Sequence, residues 1–237
     1  MGKLIAIRHG QSIWNAENRF TGWVDVDLSE KGVLEAEKSG KLLRDLDLNY
    51  DICFTSCLKR AIKTLEIILK IVGKESKYTK AWELNERHYG ALTGLNKAKV
   101  KEKLGEKQFN QYRRSWDNSP PILDKESKYS SYNDSLYKGL KSVPNTESLK
   151  NTYDRVVPYF QKNIQEHLKQ NKNVIISAHG NSLRALCKYL FNISDKKINE
   201  LEIPTGNPLI IFFDKNLKIE KCYYLDKERE KKIISNQ

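Results

Sequence analysis

Apolar residues in this sequence occur in short runs that alternate with stretches of helical periodicity. The runs predict β-strands at residues 4–7, 50–56, 174–178, 209–213 and 218–225. Asp214, Lys215 and Asn216 separate the last two strands, which favours a β-hairpin there. Strands that alternate with helices are typical of α/β proteins, and 237 residues are enough for a sizeable core.

Two helices are predicted near the first two strands. Ser29 is expected to cap the first helix, with an apolar side that comprises Leu34, Leu42, Leu43 and Leu46. Ser56 is expected to cap the second helix, in which apolar residues recur at i, i+3 and i+4 until Gly73 ends it. Arg60 falls in the first turn of this helix. It is either a solvated charge or a phosphate clamp beside the free N–H groups of the helix start.

The segment from 93 to 145 is less regular. Short helices are predicted at about 97–104 and 106–116, followed by a polar stretch with little periodicity. We interpret the segment as a helical and loop insertion folded over one edge of the sheet, and long loops of this kind are often lids. Arg113 and Arg114 within it are either exposed helix charges or ligand-binding groups.

Clearer signals return after this insertion. A helix is predicted to start at Asn145 or Thr146, with Glu147 in its first turn. Pro158 is expected to kink this helix without ending it. A short apolar helix follows His179.

The ends of the sequence suggest one domain and a polar tail. The charged residues at 227–237 are expected to fray. No internal repeat or domain boundary is evident, so residues 1–237 are predicted to form a single domain. No apolar run reaches the length of a membrane span, and no secretory signal precedes the first strand. We therefore expect a cytoplasmic protein with no membrane partner.

Composition narrows the class of ligand. The formal net charge of +12 favours an anionic partner, but the excess is mostly scattered lysine, which is typical of a solvated surface. No RNA-binding, zinc-finger or helix-turn-helix motif occurs, so no nucleic-acid partner is expected. The four cysteines lack the spacing of a redox pair or of a zinc site.

Two strand ends carry the most distinctive chemistry. Arg8 and His9 follow the first strand, His179 follows the strand at 174–178, and a glycine comes directly after each histidine. In open α/β sheets, ligands bind at the carboxyl ends of the strands. The sequence therefore predicts a site at that edge of the sheet.

Together with Arg60 and Glu86, these residues suit a phosphate dianion. Arginine supplies bidentate donors, and an unprotonated imidazole, with an ordinary pKa of about 6.5, can attack phosphorus. A second, protonated histidine would stabilise the transferring group, and Glu86 could exchange a proton with the substrate oxygen. A metal site formed by His9, His179 and Glu86 is the weaker alternative, because the arginines would repel a divalent cation.

The sequence around these positions resembles a known family. Residues 8–10 resemble the Arg-His-Gly motif of the histidine phosphatase superfamily. Longer blocks occur in order from residue 3 to about 226 and resemble the cofactor-dependent phosphoglycerate mutases. These blocks are residues 15–23, 55–61, 84–97, 113–114, 178–184 and 203–206.

The resemblance implies both a fold and a reaction. The implied fold is a three-layer α/β sandwich with a mixed, mostly parallel sheet flanked by helices, commonly in a homodimer or homotetramer. The implied reaction is the glycolytic and gluconeogenic interconversion of 3-phosphoglycerate and 2-phosphoglycerate through a phosphohistidine. It is primed by 2,3-bisphosphoglycerate and needs no metal. The implied partners are therefore small phosphorylated three-carbon acids.

The resemblance also implies roles for particular residues. His9 would be the nucleophile, with Arg8, Arg60 and His179 around the transferred phosphoryl group and Glu86 as the proton donor and acceptor. Contacts to the phosphate and carboxylate groups of the substrate are implied for Asn15, Thr21, Gly22, Tyr89, Lys97, Arg113, Arg114 and Asn181.

Other activities of the same residues stay open at this point. In a broad-specificity histidine phosphatase, water would replace the second hydroxyl, and a bisphosphoglycerate mutase or phosphatase would share the same site. The insertion that carries Arg113 and Arg114, together with Asn96 and Lys97, favours the mutase, because it would hold a substrate that carries a carboxylate and would exclude water. A phosphoryl-binding protein without activity would be expected to lack residues such as His9 or Glu86, which are present.

Overall fold

A six-stranded sheet forms the centre of the fold. The computed structural model describes residues 1–46, 50–73, 77–132, 134–140 and 142–234. Its strands are β1 (Lys3–Arg8), β2 (Ile52–Thr55), β3 (Tyr78–Lys80), β4 (Val174–Ala178), β5 (Leu209–Phe213) and β6 (Ile219–Tyr224). In the order β3-β2-β4-β1-β5-β6, only β5 runs antiparallel to its neighbours. The mixed, mostly parallel sheet and the β5–β6 hairpin are therefore confirmed, whereas β3 was not predicted.

Helices cover both faces of this sheet. They are α1 (Ile13–Ala16), α2 (Glu30–Asp45), α3 (Lys59–Val72), α4 (Lys97–Arg114), α5 (Leu149–Asn163), α6 (Gln165–Lys169) and α7 (Gly180–Leu190). Successive residues of a strand point to opposite faces, so Ile5 packs with Leu65 of α3, and Leu4 belongs to the cluster that contains Leu186 of α7. This three-layer arrangement confirms the predicted fold class.

The register of β1 and β4 determines where the site lies. Leu4 pairs with Val174 and Arg8 pairs with Ala178, so the two strands end side by side. The backbone N–H of His9 then donates to the carbonyl of Ala178 over 3.0 Å. The two histidines that follow these strands are consequently neighbours.

Two predicted helix starts are wrong, because the side chains named as caps bind elsewhere. The first residue before α3 is Leu58, and the Ser56 hydroxyl lies 2.7 Å from Nε2 of His179. Helix α5 starts at Leu149, three or four residues later than predicted, and is capped by Ser148. Glu147 precedes this helix and forms a buried ion pair of 2.7 Å with Arg155.

The apolar side predicted for α2 is also mostly wrong. Leu43 is buried, but Leu34 is 63% exposed and Leu46 is exposed as well. The buried face consists instead of Gly32, Glu35, Ala36, Ser39, Gly40 and Leu43. Small residues let this helix approach its neighbours closely, since a Cβ added at Gly40 would lie 2.9 Å from Ile71 of α3.

The irregular segments follow the predictions more closely. Gly105 adopts a φ of 75° and divides α4 into the two helical pieces that were expected at this point. Helix α5 continues past Pro158 to Asn163. Ile234 near the end of the tail is buried, so the expectation that the tail frays is wrong up to this residue. Residues 235–237 lie outside the described part of the chain. Arg229 anchors the tail by donating to the carbonyls of residues 205 and 206.

A backbone contact between Gly10 and Gly32 should be sensitive to a single methyl group. A Cβ added at Gly32 would lie 2.0 Å from the carbonyl oxygen of Gln11. Alanine normally stabilises a helix interior relative to glycine, but here we expect Gly32→Ala to lower the free energy of unfolding by about 1–3 kcal/mol. Urea denaturation measures this change.

Gly139→Ala is the matched control, because nothing lies within 4 Å of an added Cβ there. Its free energy of unfolding should stay within about 0.5 kcal/mol of the parent value. A Gly32→Ala protein as stable as the parent would contradict the close contact.

Candidate active site

A cavity of about 260 Å³ opens at the carboxyl ends of the parallel strands. It brings together every residue predicted for the site except His179 and Gly22, which do not line it but contact His9 and Arg60. The predicted residues that line it are Arg8, His9, Asn15, Thr21, Arg60, Glu86, Tyr89, Lys97, Arg113, Arg114 and Asn181. These predicted residues come from five separate parts of the chain.

His9 is fixed in one orientation by its own backbone. Its side chain is 2% exposed, and Nδ1 lies 2.6 Å from the carbonyl oxygen of Gly10. A carbonyl oxygen only accepts hydrogen bonds, so Nδ1 carries the proton in this contact. In the neutral ring, Nε2 therefore holds the lone pair that can attack an electrophile.

The surroundings of His9 favour that neutral form. Burial lowers the pKa of His9 well below 6.5, and the positive charges of Arg60 and Arg8 lower it further. The backbone around the ring is also fixed, because the Gly10 N–H donates to Oγ1 of Thr64 over 3.1 Å. An unprotonated imidazole is thus held next to two guanidinium groups.

His179 lies directly beside this ring. The ring centroids of His9 and His179 are 4.9 Å apart in an edge-on arrangement. Burial lowers the pKa of His179 well below 6.5, and the positive charge of Arg60 lowers it further. In the free protein, its burial beside cations thus disfavours a positive charge on this ring. The role of a protonated second histidine toward a transferring phosphoryl group stays a prediction.

Arg60 is the second residue of α3 and is fully buried. Its Nη2 donates to the carbonyl of Gly22 over 2.8 Å, and its Nη1 donates to the carbonyl of Val24 over 2.9 Å. Burial lowers its pKa to about 10, so it remains positively charged at neutral pH. Arg60 is therefore not a solvated charge, and Gly22 contacts this arginine through its carbonyl.

Glu86 faces the start of α7. Its Oε1 accepts from the backbone N–H of Arg87 over 2.8 Å and from that of Asn181 over 3.1 Å. The carbonyl of Glu86 accepts from the indole N–H of Trp23 and from Arg155. Arg155 fixes the loop that carries Glu86, but the sequence did not predict this role. The helical pattern around Arg155 gave no sign of the contact.

The remaining cationic residues form another part of the wall. Lys97 and Arg113 contact the cavity from the two ends of α4, and Arg114 forms a 2.5 Å ion pair with Glu202. The Tyr89 hydroxyl accepts from Nδ2 of Asn181 over 3.0 Å. These groups suit a ligand with more than one negative charge.

Seven lining residues were not assigned to the site from the sequence. They are Gly180, Arg184, Glu202, Ile203, Pro204, Thr205 and Lys231. Arg184 follows Asn181 by three residues in α7, and helical spacing could have placed it on the same face. Lys231 lies in the tail and gave no comparable signal.

Free polar atoms in the wall are available to an anion. Within the described ranges, Nε of Arg8 and Oγ1 of Thr21 are buried and make no hydrogen bond in the protein. Buried donors are normally paired, so both suit a ligand oxygen. No group of three or more metal-ligating side chains stands together in the described part of the chain. Its helices also include none that is both long and apolar enough to cross a membrane.

Sequence comparison agrees with the site and the fold. A profile of the histidine phosphatase superfamily (branch 1) matches residues 4–221. The chain therefore belongs to the histidine phosphatase superfamily.

Two curated relatives define the resemblance more narrowly. The chain is 50% identical over 236 residues to a 2,3-bisphosphoglycerate-dependent phosphoglycerate mutase of Pelagibacter ubique, with 99% of each chain covered. It is 50% identical over 231 residues to the protein of the same name from Treponema denticola, covering 96% of this chain and 94% of the relative. A mycobacterial glucosyl-3-phosphoglycerate phosphatase shares the fold, with a TM-score of 0.71 at 18% identity, over 94% and 97% of the two chains.

The lowered histidine pKa values predict a loss of stability in acid. Below pH 6.5 the unfolded chain takes up protons on His9 and His179 that the folded protein does not bind. The free energy of unfolding should therefore fall between pH 7 and pH 5, with a slope approaching about 1.4 kcal/mol per pH unit for each histidine. Urea denaturation at several pH values measures the slope.

The variant His9→Asn isolates one of these contributions. Its slope between pH 7 and pH 5 should be smaller than that of the parent by the share of one histidine. Equal slopes in the two proteins would show that His9 is protonated in the folded state.

Proposed function

We propose that this chain interconverts 3-phosphoglycerate and 2-phosphoglycerate through a phosphohistidine on His9. The observation that carries the proposal is the free Nε2 of His9 in a cavity lined by Arg8 and Arg60, with further cations on the same wall. Two relatives are 50% identical to this chain over nearly their whole length, and both are named for this activity. Phosphoglycerates, with a phosphate and a carboxylate, match that distribution of charge.

The chemistry begins at Nε2 of His9. Its lone pair attacks phosphorus while the bond between phosphorus and the substrate oxygen breaks. Glu86, in its protonated form, gives a proton to the departing oxygen and accepts one from the hydroxyl that later attacks the phosphohistidine. The phosphohistidine donates its phosphoryl group to the free hydroxyl of a monophosphoglycerate. After the resulting bisphosphate reorients, His9 takes back a phosphoryl group from the other oxygen, which completes the isomerisation with no net gain or loss of protons.

The neighbouring groups stabilise the phosphoryl group during transfer. Arg8 and Arg60 supply fixed positive charge, and His179 lies within reach of the same group because its ring adjoins His9. Asn15, Thr21 and Gly22 are proposed to contact the phosphate. Contacts to the rest of the substrate are proposed for Tyr89, Lys97, Arg113, Arg114 and Asn181.

The same cavity fits 2,3-bisphosphoglycerate as the priming compound. The unpaired donors of Arg8 and Thr21 suit one phosphate, and the cations of α4 suit a second anionic group. When bound, this compound supplies the phosphoryl group that loads His9. The single domain, the homodimer or homotetramer and the cytoplasmic location remain predictions.

A broad-specificity phosphatase is the second candidate. The fold is shared with a mycobacterial sugar-phosphate phosphatase, but at 18% identity the likeness concerns the fold alone. Arg113 and Arg114 in the wall of the cavity favour a substrate with a carboxylate and therefore favour the mutase.

An isomerisation assay tests the proposal directly. The protein is incubated with 3-phosphoglycerate in the presence of a chelator, and formation of 2-phosphoglycerate is followed with and without added 2,3-bisphosphoglycerate. We expect isomerisation that survives the chelator and is stimulated by the bisphosphate. Rapid release of inorganic phosphate without isomerisation would instead establish a phosphatase, and loss of activity with the chelator would contradict the metal-free mechanism.

Glu86→Gln tests the proposed proton transfer. Glutamine keeps an acceptor for the N–H groups of Arg87 and Asn181 but cannot exchange a proton. We expect kcat for isomerisation to fall by about 10²–10⁴-fold, with a smaller change in KM. Steady-state kinetics measure both values.

Glu83→Gln is the control, because this nearby carboxylate is not part of the cavity wall. It should leave kcat within about threefold of the parent value, as expected for a group without a catalytic role. A Glu86→Gln enzyme with the parental kcat would assign the proton transfer to another group.

A further inference from the structure

Arg184 joins three separate segments at the wall of the cavity. It lies in α7, is 4% exposed, and donates from Nη1 to Oδ1 of Asn181 over 2.8 Å. Its Nη2 donates to the carbonyl of Arg114 over 3.1 Å and to that of Ile198 over 2.8 Å. The start of α7, the end of α4 and the loop before β5 are thus held by one guanidinium.

This arrangement is costly for a residue with only a packing role. Within the described ranges, no carboxylate forms a salt bridge with Arg184, and the nearby charges of Arg87 and Arg114 repel it. Burial lowers its pKa to about 9, so it is still mainly charged at neutral pH. A buried charge without a salt bridge is unfavourable unless hydrogen bonds compensate it, and only arginine presents donors in a fixed fork.

The first consequence concerns the amide of Asn181. Its Oδ1 is occupied by Arg184, so its Nδ2 is directed to the hydroxyl of Tyr89 over 3.0 Å. Without Arg184 the amide could rotate and present its oxygen instead. Both Asn181 and Tyr89 line the cavity.

The second consequence concerns the end of α4. The last carbonyls of a helix have no partner within the helix. Arg184 binds the carbonyl of Arg114, while Arg87 binds those of Tyr112 and Arg113. The backbone that carries the side chains of Arg113 and Arg114 is therefore fixed relative to α7.

We propose that Arg184 is a positioning residue for substrate recognition, acting through Asn181 and the backbone of Arg114. The proposal rests on the function proposed above and deepens it. It divides the cavity into a phosphoryl-binding part around His9, which does not depend on Arg184, and a part that recognises the remainder of a phosphoglycerate, which does.

Two probes separate these parts without requiring turnover. Orthovanadate resembles the phosphoryl group alone, whereas 3-phosphoglycerate also carries a carboxylate. Isothermal titration calorimetry gives the dissociation constant of each probe for the parent, Arg184→Gln, Arg184→Lys and the control Lys188→Gln, which lies one turn further along α7.

We expect Arg184→Gln to weaken binding of 3-phosphoglycerate by about tenfold to hundredfold, the effect of losing a charged hydrogen bond. Its affinity for vanadate should stay within about threefold of the parent value, as should both affinities of the Lys188→Gln protein. Arg184→Lys keeps the charge but not the fork, so it too should weaken 3-phosphoglycerate and spare vanadate.

A double variant tests whether Arg184 acts through Asn181. If it does, Arg184→Gln combined with Asn181→Ala should weaken 3-phosphoglycerate binding by less than the product of the two single effects. Independent, multiplicative effects would overturn the proposal. So would an equal loss of both probes in the Arg184 variants, which would indicate general damage, or no loss of either.

The parent protein distinguishes this inference from the function on which it rests. A parent that binds vanadate but not 3-phosphoglycerate would contradict the proposed function, and the inference would fall with it. A parent that binds both, with Arg184 variants that bind both equally well, would overturn the inference alone.

Discussion

The parallel pairing of β1 with β4 is the constraint on which the rest of the site depends. Each strand is followed directly by a histidine, and the register places Arg8 opposite Ala178. The backbone alone therefore places His9 and His179 side by side. The interior of both strands is buried, and both rings are buried as well. Burial beside Arg8 and Arg60 then keeps the imidazoles neutral, as a nucleophile requires.

Backbone carbonyls and N–H groups fix several side chains of the site. Gly10 fixes the ring of His9, Gly22 and Val24 fix Arg60, and the N–H of Asn181 fixes Glu86. These contacts offset part of the cost of burying several like charges at one sheet edge. They also preorganise the donors around the place where a phosphoryl group would develop charge, and donors fixed in this way account for much of the rate enhancement of many enzymes. The positively charged groups are thus fixed in place before a ligand binds.

The strand pattern and the two His-Gly pairs were sufficient to predict five of the six strands and the edge that carries the site, whereas most of the lining was implied by the family resemblance. What failed were side chains with two possible partners. Serine is a common helix cap, yet the hydroxyl of Ser56 binds His179. Leu34 fits a helical pattern, yet it is exposed, and α2 buries its glycines instead. Arg155 gave no signal, and helical spacing alone could not reveal the bonds of Arg184 across the site, because both donate to backbone carbonyls that are distant in sequence. Local periodicity carries no information about such contacts, which depend on the assembled tertiary structure.

Identifying the nitrogen that receives the phosphoryl group tests most directly whether Nε2 of His9 is the nucleophile. The protein, labelled with ¹⁵N in its histidines, is phosphorylated with 2,3-bisphosphoglycerate and examined by ³¹P and ¹⁵N nuclear magnetic resonance. Because Nδ1 of His9 donates to the carbonyl of Gly10, we expect a single phosphohistidine with phosphorus bonded to Nε2 of His9. Phosphorylation at Nδ1, or on a residue other than His9, would contradict it.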